Sequence, residues 1–173
     1  NLNGIKQIPK ERILLELYKI LDLKNFINLC ESKYLKVLFS LIFPEFDSLE
    51  RLERLKIICN HTQISRDILL AILLIDGKNN HEYFAHKYNI SNEIKKNLNL
   101  LAKDLKLFRE NKDFSNKDLE KNIYLSNKNH LINLNILNFV SDSKYKLKDF
   151  LDTLKKILQS KTQLLPIDGK YLM

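Results

Sequence analysis

Four histidines, two cysteines and a scatter of carboxylates are the residues in this chain that could bind a metal or move a proton. Their spacing decides whether they do. The segment HEYFAH sets His81 and His86 five residues apart. A zinc site on one helix needs its histidines four apart, and at five they diverge by about 140°. No metal site is expected there. His61 and His130 stand among polar neighbours and are expected to be solvated. Asp149 and Asp152 share a helix face, but Lys148, Lys155 and Lys156 surround them. That pattern fits an ion-paired surface and not the closely spaced carboxylates of metal-assisted phosphoryl transfer. Cys30 and Cys59 fall in apolar helical stretches and read as reduced core residues of a cytoplasmic protein. No P-loop, dinucleotide-binding glycine fingerprint or paired-cysteine zinc spacing occurs. No catalytic residue and no metal ligand is therefore assigned.

The lysines offer a different chemistry. In ISNEIKKNLNLLAKDLKLF, Ile94, Leu98, Leu101, Leu105 and Phe108 recur at steps of four, three, four and three, the stripe of an amphipathic helix. Lys95, Lys96, Lys103 and Lys106 lie away from it, with Arg109 one turn further on. Cations held on a rigid helix can follow a phosphate backbone, each contact releasing counterions and making the binding salt-dependent. The charge balance points the same way. Residues 1–86 hold 12 Lys and Arg against 11 Asp and Glu, whereas residues 87–173 hold 17 against 10. A basic second half suits a polyanionic partner. The same lysines would also serve as the solvated face of a helical protein-interaction domain.

Helices must position these residues. Only three glycines and three prolines punctuate 173 residues, so short connections between helices are expected, not turn-rich sheets. Apolar spacing predicts helices over about 9–21, over KYLKVLFSLI ahead of Pro44, from Ser48 as a cap, over ISRDILLAILLIDGKN up to Gly77 at a C′ position, and from Ser91 or Asn92 through Phe108. KYLKVLFSLI is apolar enough to be expected buried. Three more follow, near 115–125, 129–140 and 144–160, beyond a polar loop at RENKDFSNKD. No alternation calls for a strand, and no run approaches the roughly 18 apolar residues of a membrane span. The fold expected is all-α, a junction helix over 1–22, a body over 23–110 and a smaller helical tail over 111–173.

Four segments in order resemble one family. IPKERILLELYKIL, with Glu11, Arg12, Glu16 and Lys19, is similar to a helix of the bacterial tRNA nucleotidyltransferase and poly(A) polymerase family, the CCA-adding type. SLIFPEFDSLERLERL resembles the apolar run, Pro-Glu and Arg-Leu helix of its body. YNISNEIKKNLNLLAKDL resembles a helix start common among its members, and LLPIDGKYLM its late segment. Pro9 stands where many relatives have Ser, and Tyr171 where they usually have Asp. The resemblance implies the body and tail of such an enzyme, binding tRNA or another RNA by phosphate and shape contacts. Catalysis, Mg and CTP or ATP would belong to a head and neck supplied in cis or in trans. It also implies that Glu11, Arg12, Glu16 and Lys19 brace that neck, and that Lys95, Lys96, Lys103, Lys106 and Arg109 face the RNA.

Overall fold

Pro9 opens the first helix of the computed structural model, which describes residues 7–29, 31–110 and 127–160. Its ring fixes φ at −54°, and its carbonyl accepts the first helical bonds from the Arg12 and Ile13 amides. Helix α1 (Lys10–Leu21) then buries Leu14, Leu17 and Leu21, spaced three and four apart. A single turn, α2 (Phe26–Leu29), buries Phe26. Helix α3 (Lys33–Ile42) ends immediately before the Phe43–Pro44 pair, where Phe43, at φ −122° and ψ 75°, has left the α region that a following proline disfavours. Helix α4 (Arg51–Ile58) turns Leu52, Leu55 and Ile58 inward.

Helix α5 (Arg66–Leu74) is buried at every position from Ile68 to Leu74, the mark of an element covered on all sides. Ser65 caps it by accepting from the Ile68 amide at 3.4 Å. Helix α6 (Asn80–Lys87) closes at Asn89, whose φ is +50°, and the Ile90 amide reaches back to the Ala85 carbonyl at 3.2 Å. That is the hydrogen bond of a Schellman closure, with Asn in the usual glycine place. Helix α7 (Asn92–Glu110) starts at Ser91, which accepts from the Ile94 amide. Asn127 caps α8 (Lys128–Ser141), and α9 (Leu147–Gln159) ends the described chain. Among the described residues there are helices and no strand, so the protein is all-α.

Helix α8 packs against α4, α5, α7 and α9. Its Leu131, Leu134, Ile136, Leu137, Phe139 and Val140 belong to the same buried cluster as Leu17 of α1 and Leu70 of α5. Six aromatic rings of that cluster pack on one another: Phe26, Phe39, Phe43, Phe46, Phe84 and Tyr88, with Phe84 and Tyr88 at 4.6 Å.

Three details differ from the sequence-based expectation. Ser48 is not the cap of α4: it is buried in a turn whose carbonyl accepts the Arg51 amide, and α4 begins after Glu50 without a side-chain cap. Gly77 lies beyond the C′ position of α5, because Asp76 already closes a turn by accepting the Lys78 amide at 2.8 Å. Helix α3 is not buried. It covers Phe39 and partly Leu35 and Ile42, while Tyr34 stays 89% exposed, with Val37, Leu38 and Leu41 beside it. Apart from Lys33, Lys36 and Ser40 the helix is apolar, but neighbours cover only one side. The helix expected near 115–125 and the LLPIDGKYLM segment lie outside the described residues.

Candidate nucleic-acid interface

The apolar stripe of α7 fixes where its cations point. Leu98, Leu101 and Leu105 are buried and Ile94 and Phe108 half-buried, so the far side of the helix faces solvent. Lys95, Lys96, Lys103 and Lys106 are exposed there. Helical geometry puts the four within an arc of about 100°, along about 16 Å of helix. None of them forms an ion pair or side-chain hydrogen bond among the described residues. Two leucines, Leu100 and Leu107, are also exposed on this helix.

Arg109 ends the row and is held differently. Its Nε donates to the Oδ1 of Asn138, a buried side chain of α8, at 3.3 Å. A second arginine, Arg51 of α4, approaches from the other side. Its Nη1 donates to the Ile72 carbonyl at 3.2 Å and to the Ile75 carbonyl, closing the open C-terminus of α5. Burial pulls Arg51 below the usual guanidinium range; Glu50 opposes that, Arg109 adds to it, and Asp76 opposes it again. Together Arg51, Asp76, Lys78, His81, Lys106 and Arg109 line a cleft of about 440 Å³. Asp76 is already engaged, one oxygen by the Lys78 amide and the other by Asn80 at 2.9 Å, and Lys78 Nζ reaches Asp47 at 3.5 Å. The structure thus joins Lys106 and Arg109 to Arg51, which the sequence had not singled out. The signal was present in SLERLERL, where Arg51 and Arg54 flank inward leucines three apart.

The junction residues behave less uniformly. Glu16 and Lys19 pair at 2.9 Å across an exposed helix turn. Glu11 and Arg12 are exposed and make no side-chain hydrogen bond or ion pair among the described residues, so the possible Arg12–Glu16 pair does not form.

Elsewhere the possible chemical groups are spread apart. His81 is buried, 6% exposed, and His86 is exposed, as five-residue spacing requires. His130 is not solvated: its Nε2 meets the Asp104 carboxylate at 2.8 Å, both side chains nearly covered between α7 and α8. Tyr145, which looks isolated in sequence, places its hydroxyl 2.9 Å from Asn135 Oδ1 and 3.0 Å from Thr153. Asp149 and Asp152 are exposed, and Asp149 accepts from the Lys146 amide at the start of α9. Cys59 is a free, partly buried thiol, and Cys30 lies outside the described residues. Among the described residues, no three His, Cys, Asp or Glu gather as a metal ion would need, and no helix is long and apolar enough to cross a membrane. No family model matches the chain, and neither a curated protein nor a solved structure matches it.

Proposed function

We propose that this chain is the RNA-binding body of a template-independent nucleotidyltransferase, holding tRNA or a related RNA in the cytoplasm. In this reading a catalytic head, which would bring Mg and CTP or ATP, acts with it in cis or in trans. The observation that carries the RNA-binding part is the α7 face, where Lys95, Lys96, Lys103 and Lys106 stand exposed and, among the described residues, unpaired on a helix anchored by three buried leucines. A rigid row of cations suits the regular phosphates of a duplex arm, whose A-form groove is recognised by shape and backbone more than by base edges. The order of the four family-like segments supports the enzyme class. Glu11 and Arg12, which have no side-chain partner among the described residues, suit a junction with another domain.

Measuring tRNA affinity against salt tests the reading. Affinity should fall steeply as salt rises, and Lys103→Glu with Lys106→Glu should lower both affinity and the salt slope, by roughly one to two counterions. Equal binding of tRNA and a random acidic polymer would overturn it. One further observation favours a second reading, a helical protein-interaction domain: the bare stripe of Tyr34, Val37, Leu38 and Leu41 on α3. If that stripe carries the function, Leu38→Asp abolishes the physiological contact while the α7 substitutions leave it intact.

A further inference from the structure

The cleft between the end of α5 and the last turns of α7 is more than a continuation of the lysine row. Its two arginines come from helices far apart in sequence, and each is held by an uncharged partner. Arg51 spends Nη1 on the Ile72 and Ile75 carbonyls; Arg109 spends Nε on Asn138. Neither forms an ion pair, and their remaining guanidinium nitrogens have no partner among the described residues. Lys106, also unpaired, lines the same space. Of the nearby carboxylates, Glu50 acts on Arg51 more strongly than Asp76, and Asp76, which lines the cleft, already accepts from Lys78 N and Asn80 Nδ2. Glu110 also lines the cleft, so three uncommitted cations outnumber the carboxylates there.

We propose that this cleft is a phosphate-binding site, in which Arg51 and Arg109 hold one phosphate group between their free guanidinium edges and Lys106 supplies a third cation. The planar fork of arginine matches two phosphate oxygens at once, and its pinned nitrogens leave little side-chain freedom to lose on binding. Arg109 lies near enough to disfavour the charge on Arg51, and a bound oxyanion relieves that repulsion. A carboxylate ligand or an internal phosphodiester, each with one negative charge, would leave most of the positive charge uncompensated, whereas a terminal or free phosphate brings between one and two negative charges and three or more acceptor oxygens. The cleft volume, about 440 Å³, exceeds a bare phosphate and falls in the range of sites that enclose a small organic group. The ligand is therefore a phosphate carried on a nucleotide unit. That choice of carrier rests on the RNA-binding reading; the anion site itself rests on Arg51, Arg109 and Lys106.

The full chain is titrated with inorganic phosphate at constant ionic strength set by chloride, following the arginine Nε–H resonances of Arg51 and Arg109. Both should shift saturably. Arg109→Gln and Lys106→Gln should each weaken phosphate binding about tenfold, while Lys155→Gln, exposed on α9 and outside the cleft, leaves it unchanged. A short RNA with a 5′-phosphate, the same RNA without it, and adenosine monophosphate then separate a terminal from an internal or free phosphate. No saturable shift, or an affinity indifferent to both glutamine substitutions, overturns the site even if RNA still binds through the α7 lysines. Saturable phosphate binding that Arg109→Gln weakens, with no binding of any RNA, keeps the site and removes the RNA-binding reading.

Discussion

His81 shows how one residue changes meaning once its surroundings are known. It lies in HEYFAH, where spacing argues only against zinc, yet it is 6% exposed and its Nδ1 has no hydrogen-bond partner among the described residues. Burial lowers its pKa below the ordinary histidine value; Glu82, Asp76 and the backbone at Lys78 oppose the shift without reversing it. The unfolded chain therefore takes up this proton first as pH falls. Stability from His81 is fully present above an ordinary histidine pKa of about 6.5 and is lost as pH drops from there towards the depressed folded value. His81→Gln cannot titrate, so urea unfolding between about pH 7.5 and about pH 5.5 should show a smaller acid loss for the variant than for the parent. Equal losses would mean that His81 is neutral in both forms or protonated without cost. Exposed His61 and His86 cannot produce such a difference, since both are present in the two proteins. The Glu16–Lys19 pair, by contrast, is open to solvent on both sides and contributes at most a few tenths of a kcal/mol.

Among the elements, α4 acts through its two arginines. Arg51 closes the C-terminus of α5, and Arg54 closes the C-terminus of α8. Arg54 donates to the carbonyls of Phe139 at 2.9 Å, Asp142 at 3.2 Å and Tyr145 at 3.0 Å, and its guanidinium lies 4.6 Å from the Phe139 ring centre. Positive charge near a helix C-terminus is favourable, and Arg54 gives these part-buried carbonyls donors that the helix itself does not supply, although Asp142 also accepts the Tyr145 amide. Arg54→Met keeps the apolar stem and removes the donors, which should cost about 3 kcal/mol in chemical unfolding. A loss below about 1 kcal/mol would show that water replaces the three bonds. Helix α1 is tied by similar means: Arg66 of α5 stacks 4.6 Å from the Tyr18 ring centre and pairs with Asp22 at 3.2 Å. Helix α3 is tied to α4 by the Lys36–Glu53 pair at 2.7 Å, while four large apolar side chains of its outer face meet solvent.

At the scale of the whole molecule, α8 is the element around which the rest packs. It touches α4, α5, α7 and α9, and the buried residues form one connected cluster from Leu14 of α1 to Ile157 of α9. Two asparagines sit inside it, Asn135 bonded to the Phe150 carbonyl and Tyr145, and Asn138 to Arg109. Their buried amides are satisfied only when α7, α8 and α9 are assembled together. Helices 7–110 and 127–160 should therefore unfold together. Far-ultraviolet dichroism and tyrosine fluorescence should trace one coincident transition in urea, the probes being Tyr18 and Tyr88 at one end and Tyr145 at the other. Two separated transitions would divide the core into independent units.

Sequence alone determined the strongly amphipathic helices and their inward faces, because such a repeat is a local property, whereas the α2 turn and α6 (Asn80–Lys87) were not read from it. Leu98, Leu101 and Leu105 could be read as buried without knowing what buries them, and with them the outward direction of Lys95, Lys96, Lys103 and Lys106. The Ser91 cap was legible for the same reason, whereas the cap expected at Ser48 does not form, since the backbone of its turn already satisfies the next amides. Tertiary structure alone decided which apolar faces find a cover. It left Tyr34 and Leu38 of α3 bare and enclosed His130 against Asp104, two residues on different helices. It also brought Arg51 to Arg109 and pinned each on a backbone or amide oxygen. Such meetings depend on how helices cross, and the crossing is set by the whole packed core and not by the spacing of residues within any one helix.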